Sequence, residues 1–391
     1  MLETTLLQQL FGDRLLIEKG ATWPSSIRVQ HGPLDRLPAL FLQPLLQQTD
    51  LLADVYRGPL SFGRGLRSPQ TFDTRANAGS LLQLGLTVFM QDVAPVLSGA
   101  PQFLRALERE LGVASSSARL SAFACSGDDG VSCHYDAEEV ISIQLLGRKT
   151  FHVAPMSEIA LPYGAQFGPD MVAVENLYEQ ARDGFPDPAQ ATFQSFDLQP
   201  GSVLFLPRGT WHRTEAQEPS LSLSIVVRPP VLAEALLGWL QPWLLGDSRW
   251  RLPLYGPVNS HQSALKPLLL ELAARLEQGA EQPILNWSAT PSIENSELLR
   301  VPGSRLDVIV VSQHRLRLRV SALDQNWRSR TTFDSEIPAT LRPVIEWIQL
   351  RKTAFSLQAL AQELPHATQG DNRQLVEVLV KANALRQLVP R

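Results

Sequence analysis

The sequence predicts an α+β protein built around an antiparallel barrel or double-sheet jelly roll, with a helical middle segment and a smaller mixed unit at the end. Three observations predict it. Between Arg119 and Pro229 the runs "VISIQLLG", "TFHVAP", "SVLFLP" and "LSLSIVV" are short, rich in β-branched and aromatic residues, and bounded by Gly, Pro or Ser. Several short strands with turn signals between them suit a barrel or a double sheet. After "VVRPP" the texture turns helical. At 391 residues the chain also exceeds one domain of ordinary size.

In order along the chain, residues 1 to about 100 alternate short apolar runs with Pro and Gly breaks, and read as mixed helices and short strands joined by loops. "APQFLRALERELGV" places Phe103, Leu104, Leu107 and Leu111 at helical spacing, with Gly112 where a C-terminal cap belongs. The strands follow, interrupted at 157–195 by what reads as a long polar insertion. "VLAEALLGWLQPWLL" and "SALKPLLLELAARLEQ" carry wide apolar faces, which suit either a helical layer over the barrel or a homodimer interface. In the last 90 residues "SRLDVIVVSQHRLRLRV" reads as paired strands. Helices follow at "PATLRPVIEWIQLRK", "SLQALAQELP", with Ser356 as N-cap, and "NRQLVEVLVKANAL", a winged-helix-like composition. The expected domains are therefore 1–230, 231–300 and 301–391.

Composition narrows the function classes. With 44% hydrophobic and 19% charged residues the chain reads as soluble and globular, and a net charge of -4 argues against a surface built wholly for nucleic acid. No stretch has the apolar length to span a bilayer, and the N-terminal residues do not read as a signal peptide. Two cysteines, Cys125 and Cys133, form no framework, so a reducing, cytoplasmic setting is expected.

The chemistry starts at "HYDAEEVISIQLLGRKTF". On a strand, residues i and i+2 face one side, so His134 and Asp136 can enter one cavity. Two ligands hold a catalytic metal poorly, so a third is required. It comes in "LQPGSVLFLPRGTWHRTEA", where a strand and a Pro-Arg-Gly turn deliver His212 to the start of the next strand. Two histidines and a carboxylate make the facial triad of non-haem Fe(II) oxygenases, with positions left open for cosubstrate and O2. Lys149 reads, from the residues alone, either as a solvated hairpin residue or as the cation for the far carboxylate of a cosubstrate such as 2-oxoglutarate.

These motifs together resemble the JmjC-domain oxygenases of the cupin superfamily, and most closely the bacterial ribosomal-oxygenase-like, or cupin-4, branch, over most of residues 80–230 and more weakly beyond. The resemblance implies a double-stranded β-helix core, Fe(II) bound by His134, Asp136 and His212, 2-oxoglutarate held by Lys149, and pocket-wall roles for Gln144 and Ser224. It implies hydroxylation of an amino-acid side chain in a protein or peptide, with a ribosomal protein as one candidate. The same chemistry on a natural-product peptide or small molecule is the alternative. A ligand-sensing cupin fused to a DNA-binding domain is a third reading. It is opposed by the complete triad and by "NRQLVEVLVKANAL", which offers only Arg373 and Lys381 and so argues against specific DNA binding.

The chain departs from the family pattern at Phe151, where tryptophan is frequent, and at Gln91 and Asp92, near a position that often holds asparagine. Asp128 and Asp129 read as a solvated loop or as contacts for a basic peptide. Cys133 reads as a structural thiol, His152 as a core or pocket-wall histidine, and Arg315, Arg317 and Arg319 as the charged guard of an edge strand.

Overall fold

The computed structural model describes residues 5–12, 24–253 apart from 69, 165 and 183, 258–279, 293, 296–323, 329–364 and 369–388. The chain divides into two units, Met1–Leu285 and Asn286–Arg391.

The strands of the first unit are β1 Arg28–Gln30, β2 Leu60–Gly63, β3 Phe72–Thr74, β4 Thr87–Met90, β5 Ala118–Cys125 and β6 Asp129–His134, followed by β7 Glu139–Leu146, β8 Lys149–Pro155, β9 Gln194–Leu198, β10 Val203–Leu206, β11 Thr210–Ala216 and β12 Ser220–Val227. They form an eight-stranded sheet in the order β1-β10-β7-β12-β5-β4-β2-β3 and a four-stranded sheet in the order β6-β11-β8-β9. This is the expected double-sheet core, and the irregular-looking first hundred residues supply four strands of the larger sheet.

Helices α1 Leu6–Phe11, α2 Thr49–Val55, α3 Ala78–Gln83 and α4 Ala100–Leu111 bury their apolar residues against that sheet. α4 has the predicted form: Phe103, Leu104 and Leu107 are buried, and Gly112 closes the helix in the left-handed conformation at φ +68°. The core joins these helices to one face of β5, β7, β10 and β12, through Leu120, Ile141, Ile143, Phe205, Leu223 and Ile225 among others. Each such side chain contributes roughly 1.5–3 kcal/mol on burial. The other face of the same strands looks toward the four-stranded sheet. There Val140, Leu204 and Leu206 meet Phe151, Val153 and Leu198 in a separate apolar cluster that closes one part of the space between the sheets.

The segment 157–195 is less polar in its packing than its sequence suggests. It contains α5 Glu175–Gln180, and Ile159, Phe167 and Leu177 form a small core with Tyr135, Ala154 and Trp211. After β12 come α6 Leu232–Gly246 and α7 Val258–Gly279. Leu232, Leu236, Leu237, Leu245, Leu265, Leu269 and Leu270 of these helices are exposed. No helix among the described residues is long and apolar enough to cross a membrane.

The second unit holds β13 Glu297–Arg300, β14 Arg305–Val310, β15 Arg315–Leu323, β16 Ser329–Pro338 and β17 Leu385–Leu388, with helices α8 Arg342–Leu350, α9 Leu357–Glu363 and α10 Gln369–Lys381. β13 pairs with β17, and β14-β15-β16 form a three-stranded sheet. Ser356 caps α9, its hydroxyl accepting the Ala359 N–H at 3.1 Å. β15 is therefore a central strand, which corrects the edge-strand reading of Arg315, Arg317 and Arg319. Arg317 and Arg319 instead share Asp334 on the neighbouring β16, at 2.6 and 3.0 Å.

Candidate metal centre

The local sequence around each ligand explains its position. β6 ends at His134, and Asp136 follows directly, its carbonyl accepting the Gly209 N–H at 2.8 Å. Gly209, at φ +74°, forms the turn between β10 and β11 and is followed by His212 in β11. β11 pairs antiparallel with β6 in a register that sets His212 opposite His134. The imidazole rings lie with centroids 4.2 Å apart. Nε2 of His134 is 3.9 Å and Nε2 of His212 is 3.6 Å from the Asp136 carboxylate. One donor atom from each of the three lies within 4.8 Å of the others.

The hydrogen bonds of the two histidines prepare them as ligands. Nδ1–H of His134 donates to the Ser132 carbonyl at 2.7 Å, and Nδ1–H of His212 donates to the Thr210 carbonyl at 2.9 Å. Each bond fixes the tautomer that leaves the Nε2 lone pair free toward Asp136. Burial, reinforced by His212 beside it, pushes the His134 pKa down to about 3, so this imidazole is neutral at ordinary pH. Burial alone would raise the Asp136 carboxyl, but the combined pull of His134, His212, Arg67 and Arg119 outweighs it and the pKa is lowered. Two imidazoles and one ionised carboxylate are the donor set that suits a divalent first-row metal.

These residues line a cavity between the two sheets of about 610 Å³, its open mouth included. Its far wall carries Lys149, the first residue of β8, which the structure places well away from the solvated-hairpin alternative. Lys149 is 5% exposed. Its Nζ donates to Ser222 Oγ at 2.9 Å and lies 5.4 Å from the centre of the Phe123 ring. No carboxylate pairs with it among the described residues, and burial lowers its pKa to about 8. A lysine buried without a counter-ion is costly unless a ligand supplies one. Ser142 adds a second unfilled demand, since it lines the same cavity with a buried hydroxyl that has no partner among the described residues. A small molecule with a carboxylate at the lysine end fits both.

Ser224 and Phe151 line the cavity. Gln144 does not. Its Nε2–H donates to the carbonyls of Leu146 at 2.7 Å and Gly147 at 3.3 Å, so the side chain closes the turn before β8 instead of forming the pocket wall. The pairing of β7 with β12 slips at this point, between Leu221 and Ser222, and such a bulge re-aims the side chains beside it. Gln91 and Asp92 line an outer groove that opens from the cavity, not the cavity itself. Asp129 is neither a solvated nor a peptide-facing residue: its carboxylate accepts the Gly65 N–H at 3.0 Å and the Thr87 hydroxyl at 2.5 Å. His152 lies off the cavity, bonded to Ser195 Oγ at 2.8 Å, and Cys133 is half-buried in the small core around Tyr135. Sequence reading missed Arg67, Arg119, Ser142 and Ser222, all of which line the cavity.

Fold and site together define a double-sheet barrel with a two-histidine, one-carboxylate centre. Residues 102–235 match the family model described as the JmjC domain. The uncharacterized protein YxbC of Bacillus subtilis (strain 168) is 25% identical over 259 residues, covering 63% of this chain and 74% of its own. Human ribosomal oxygenase 1 is 26% identical over 204 residues, covering 48% of this chain. This chain spans only 29% of that protein, and 34% of the zebrafish HSPB1-associated protein 1 homolog. The crystal structure of Escherichia coli ycfD is similar at 18% identity and a TM-score of 0.43, with 94% of this chain and 96% of that chain covered.

Proposed function

We propose that the protein is an Fe(II)- and 2-oxoglutarate-dependent oxygenase that hydroxylates a side chain of a protein or peptide, a ribosomal protein being the class suggested by the name of the human relative. The observation that carries the reading is the placement of the triad and of the unpaired Lys149 on the walls of one cavity. His134, Asp136 and His212 would hold the metal, and Lys149 with Ser222 would hold the far carboxylate of 2-oxoglutarate. When bound, the metal supplies the redox chemistry by which O2 converts 2-oxoglutarate to succinate and CO2 and a substrate C–H to C–OH.

The chain's own part is positional and electrostatic. The two backbone carbonyls orient the imidazoles, and Asp136 stays ionised. The apolar cluster around Phe151 keeps one side of the cavity dry. The outer groove, about 1830 Å³ with its open space, gives a peptide access to the metal side of the cavity. We assign the protein to a reducing, cytoplasmic setting, in keeping with its two free cysteines. We further propose that a second copy of the chain covers the exposed leucines of α6 and α7, which light scattering would show as a dimer.

Anaerobic titration with Fe(II) and 2-oxoglutarate tests the reading. The visible charge-transfer band of the chelate is expected in the wild type and absent in Asp136→Ala, whose metal affinity falls by more than the roughly 100-fold typical of losing an outer partner. Iron bound without the band removes 2-oxoglutarate from the assignment, and no iron bound removes the triad.

A further inference from the structure

One cation beside the metal residues makes no ion pair among the described residues, although it acts through its charge on Asp136. Arg67 lies in the loop after β2 with φ +75°, a backbone region that residues other than glycine seldom adopt. The loop is held there from both sides. Gly65 donates its N–H to Asp129 at 3.0 Å, and the Leu66 carbonyl accepts the N–H and the hydroxyl of Ser132 at 3.0 and 2.9 Å. Strained, over-determined backbone of this kind gathers at ligand clamps. The guanidinium rests 4.9 Å from the centre of the Phe89 ring, where the inner cavity meets the outer groove, and lines both. No hydrogen bond or ion pair reaches it among the described residues. The neighbouring Arg119 is already committed to Glu138 through bonds of 3.3 and 2.8 Å.

Charge balance shows what is missing, and this step rests on the oxygenase reading. In the loaded site Lys149 meets the far carboxylate of 2-oxoglutarate. Asp136 and the near carboxylate offset the two charges of the metal, and Glu138 offsets Arg119. Arg67 is left without an ion pair among the described residues, with five donors in a planar fork that matches a carboxylate. We infer that Arg67 is a substrate-binding residue that takes a carboxylate of the incoming peptide, either an Asp or Glu side chain or the C-terminal carboxylate. Among the described residues, none of the groove acids Asp73, Asp92 and Asp170 makes an ion pair with it, although Asp73 acts on it through its charge. Asp73 accepts the Ser61 hydroxyl at 2.6 Å and Asp92 the Ala94 N–H at 3.0 Å. They favour a substrate whose carboxylate leads and whose cationic part trails.

The test is affinity selection on protein loaded with Mn(II) and 2-oxoglutarate. The probe is a synthetic random hexapeptide library, half with a free C-terminal acid and half amidated, read by mass spectrometry. The wild type should enrich carboxylate-bearing peptides, and the split between C-terminal acids and internal Asp or Glu identifies the source. Arg67→Gln should lose that enrichment by about tenfold or more, and Arg67→Lys should recover part of it. Mn(II) affinity, followed by electron paramagnetic resonance, should stay within about twofold in both variants. Absence of carboxylate enrichment, or its survival in Arg67→Gln, overturns the inference. Loss of Mn(II) affinity in Arg67→Gln also overturns it, because Arg67 would then be a brace for Asp136. Failure of the wild type to bind Mn(II) counts against the oxygenase reading instead, and the same selection on the metal-free protein then decides Arg67 by the same criteria.

Discussion

The eight-stranded sheet has two buried faces of opposite character, and β12 shows both in eight residues. Leu221, Leu223, Ile225 and Val227 pack into the core beneath the helices, whereas Ser222 and Ser224 line the cavity. β5 and β7 repeat the alternation, with Leu120 and Ala122 against Ser121, and with Ile141 and Ile143 against Ser142. All of these residues are buried. Burial therefore does not separate core from site in this barrel; what separates them is whether the buried groups satisfy one another. The aliphatic face is complete in itself. The serine face holds a hydroxyl, that of Ser142, without a partner among the described residues. It receives from β8 of the other sheet a lysine without a counter-ion among them. A face with such demands is built for something that these residues do not supply.

The largest expected effect lies on the aliphatic face. Leu223→Ala should destabilise the protein by about 2–5 kcal/mol through lost burial and the cavity it leaves. It should leave metal affinity unchanged, because the neighbouring side chains that reach the cavity point the other way. Denaturant unfolding followed alongside Mn(II) binding checks both halves. A metal defect of the same size as that of Asp136→Ala would break the distinction between the faces.

Lys149 gives the next effect. Its folded pKa of about 8 lies below its ordinary value of 10.5. Between those values the unfolded chain holds a proton that the folded chain has released, so stability rises with pH across that window. Below pH 8 both states are protonated and the full penalty of burying the charge stands, on the order of 3 kcal/mol. Lys149→Met should be more stable than wild type at pH 7, and the difference should shrink as pH rises from about 8 toward 10.5. Binding of 2-oxoglutarate to the metal-loaded protein should weaken above pH 8, since the ligand then has to restore the proton. An unchanged pH profile in Lys149→Met would show that the buried ammonium is already compensated.

How much of this could be read from the sequence depends on how local the information is. His134-x-Asp136 and the turn before His212 are local patterns, and Gly201 and Gly209 at positive φ form the turns that their positions suggest. The alternation in "LSLSIVV" marks a strand, but both of its faces are buried, so the pattern alone could not say which one looks into the cavity. Arg67 was illegible because nothing in "FGRGLRSPQ" announces a site. A pairing between Leu66 and Val131, distant in sequence, brings it beside the metal residues. β16 was missed for a simpler reason: most of its residues are exposed, so no apolar alternation marks it. The small core within 157–195 was hidden because its few apolar residues are spread along a polar stretch and gather only against Tyr135 and Trp211.

The smallest effect falls on the serine face and has the opposite sign to Leu223→Ala. Ser142→Ala removes a buried hydroxyl that no group among the described residues satisfies, so the free protein should keep its stability or gain up to about 1 kcal/mol. If the hydroxyl is there for the ligand, the same change should weaken 2-oxoglutarate binding by about 2- to 12-fold, the equivalent of one ordinary hydrogen bond. Calorimetric titration of the metal-loaded variant measures this directly. A stable variant with weakened binding means that the serines of this face are retained for the ligand at the expense of packing. A destabilised variant with normal binding means that Ser142 is structural, and that the unfilled demand of the cavity rests on Lys149 alone.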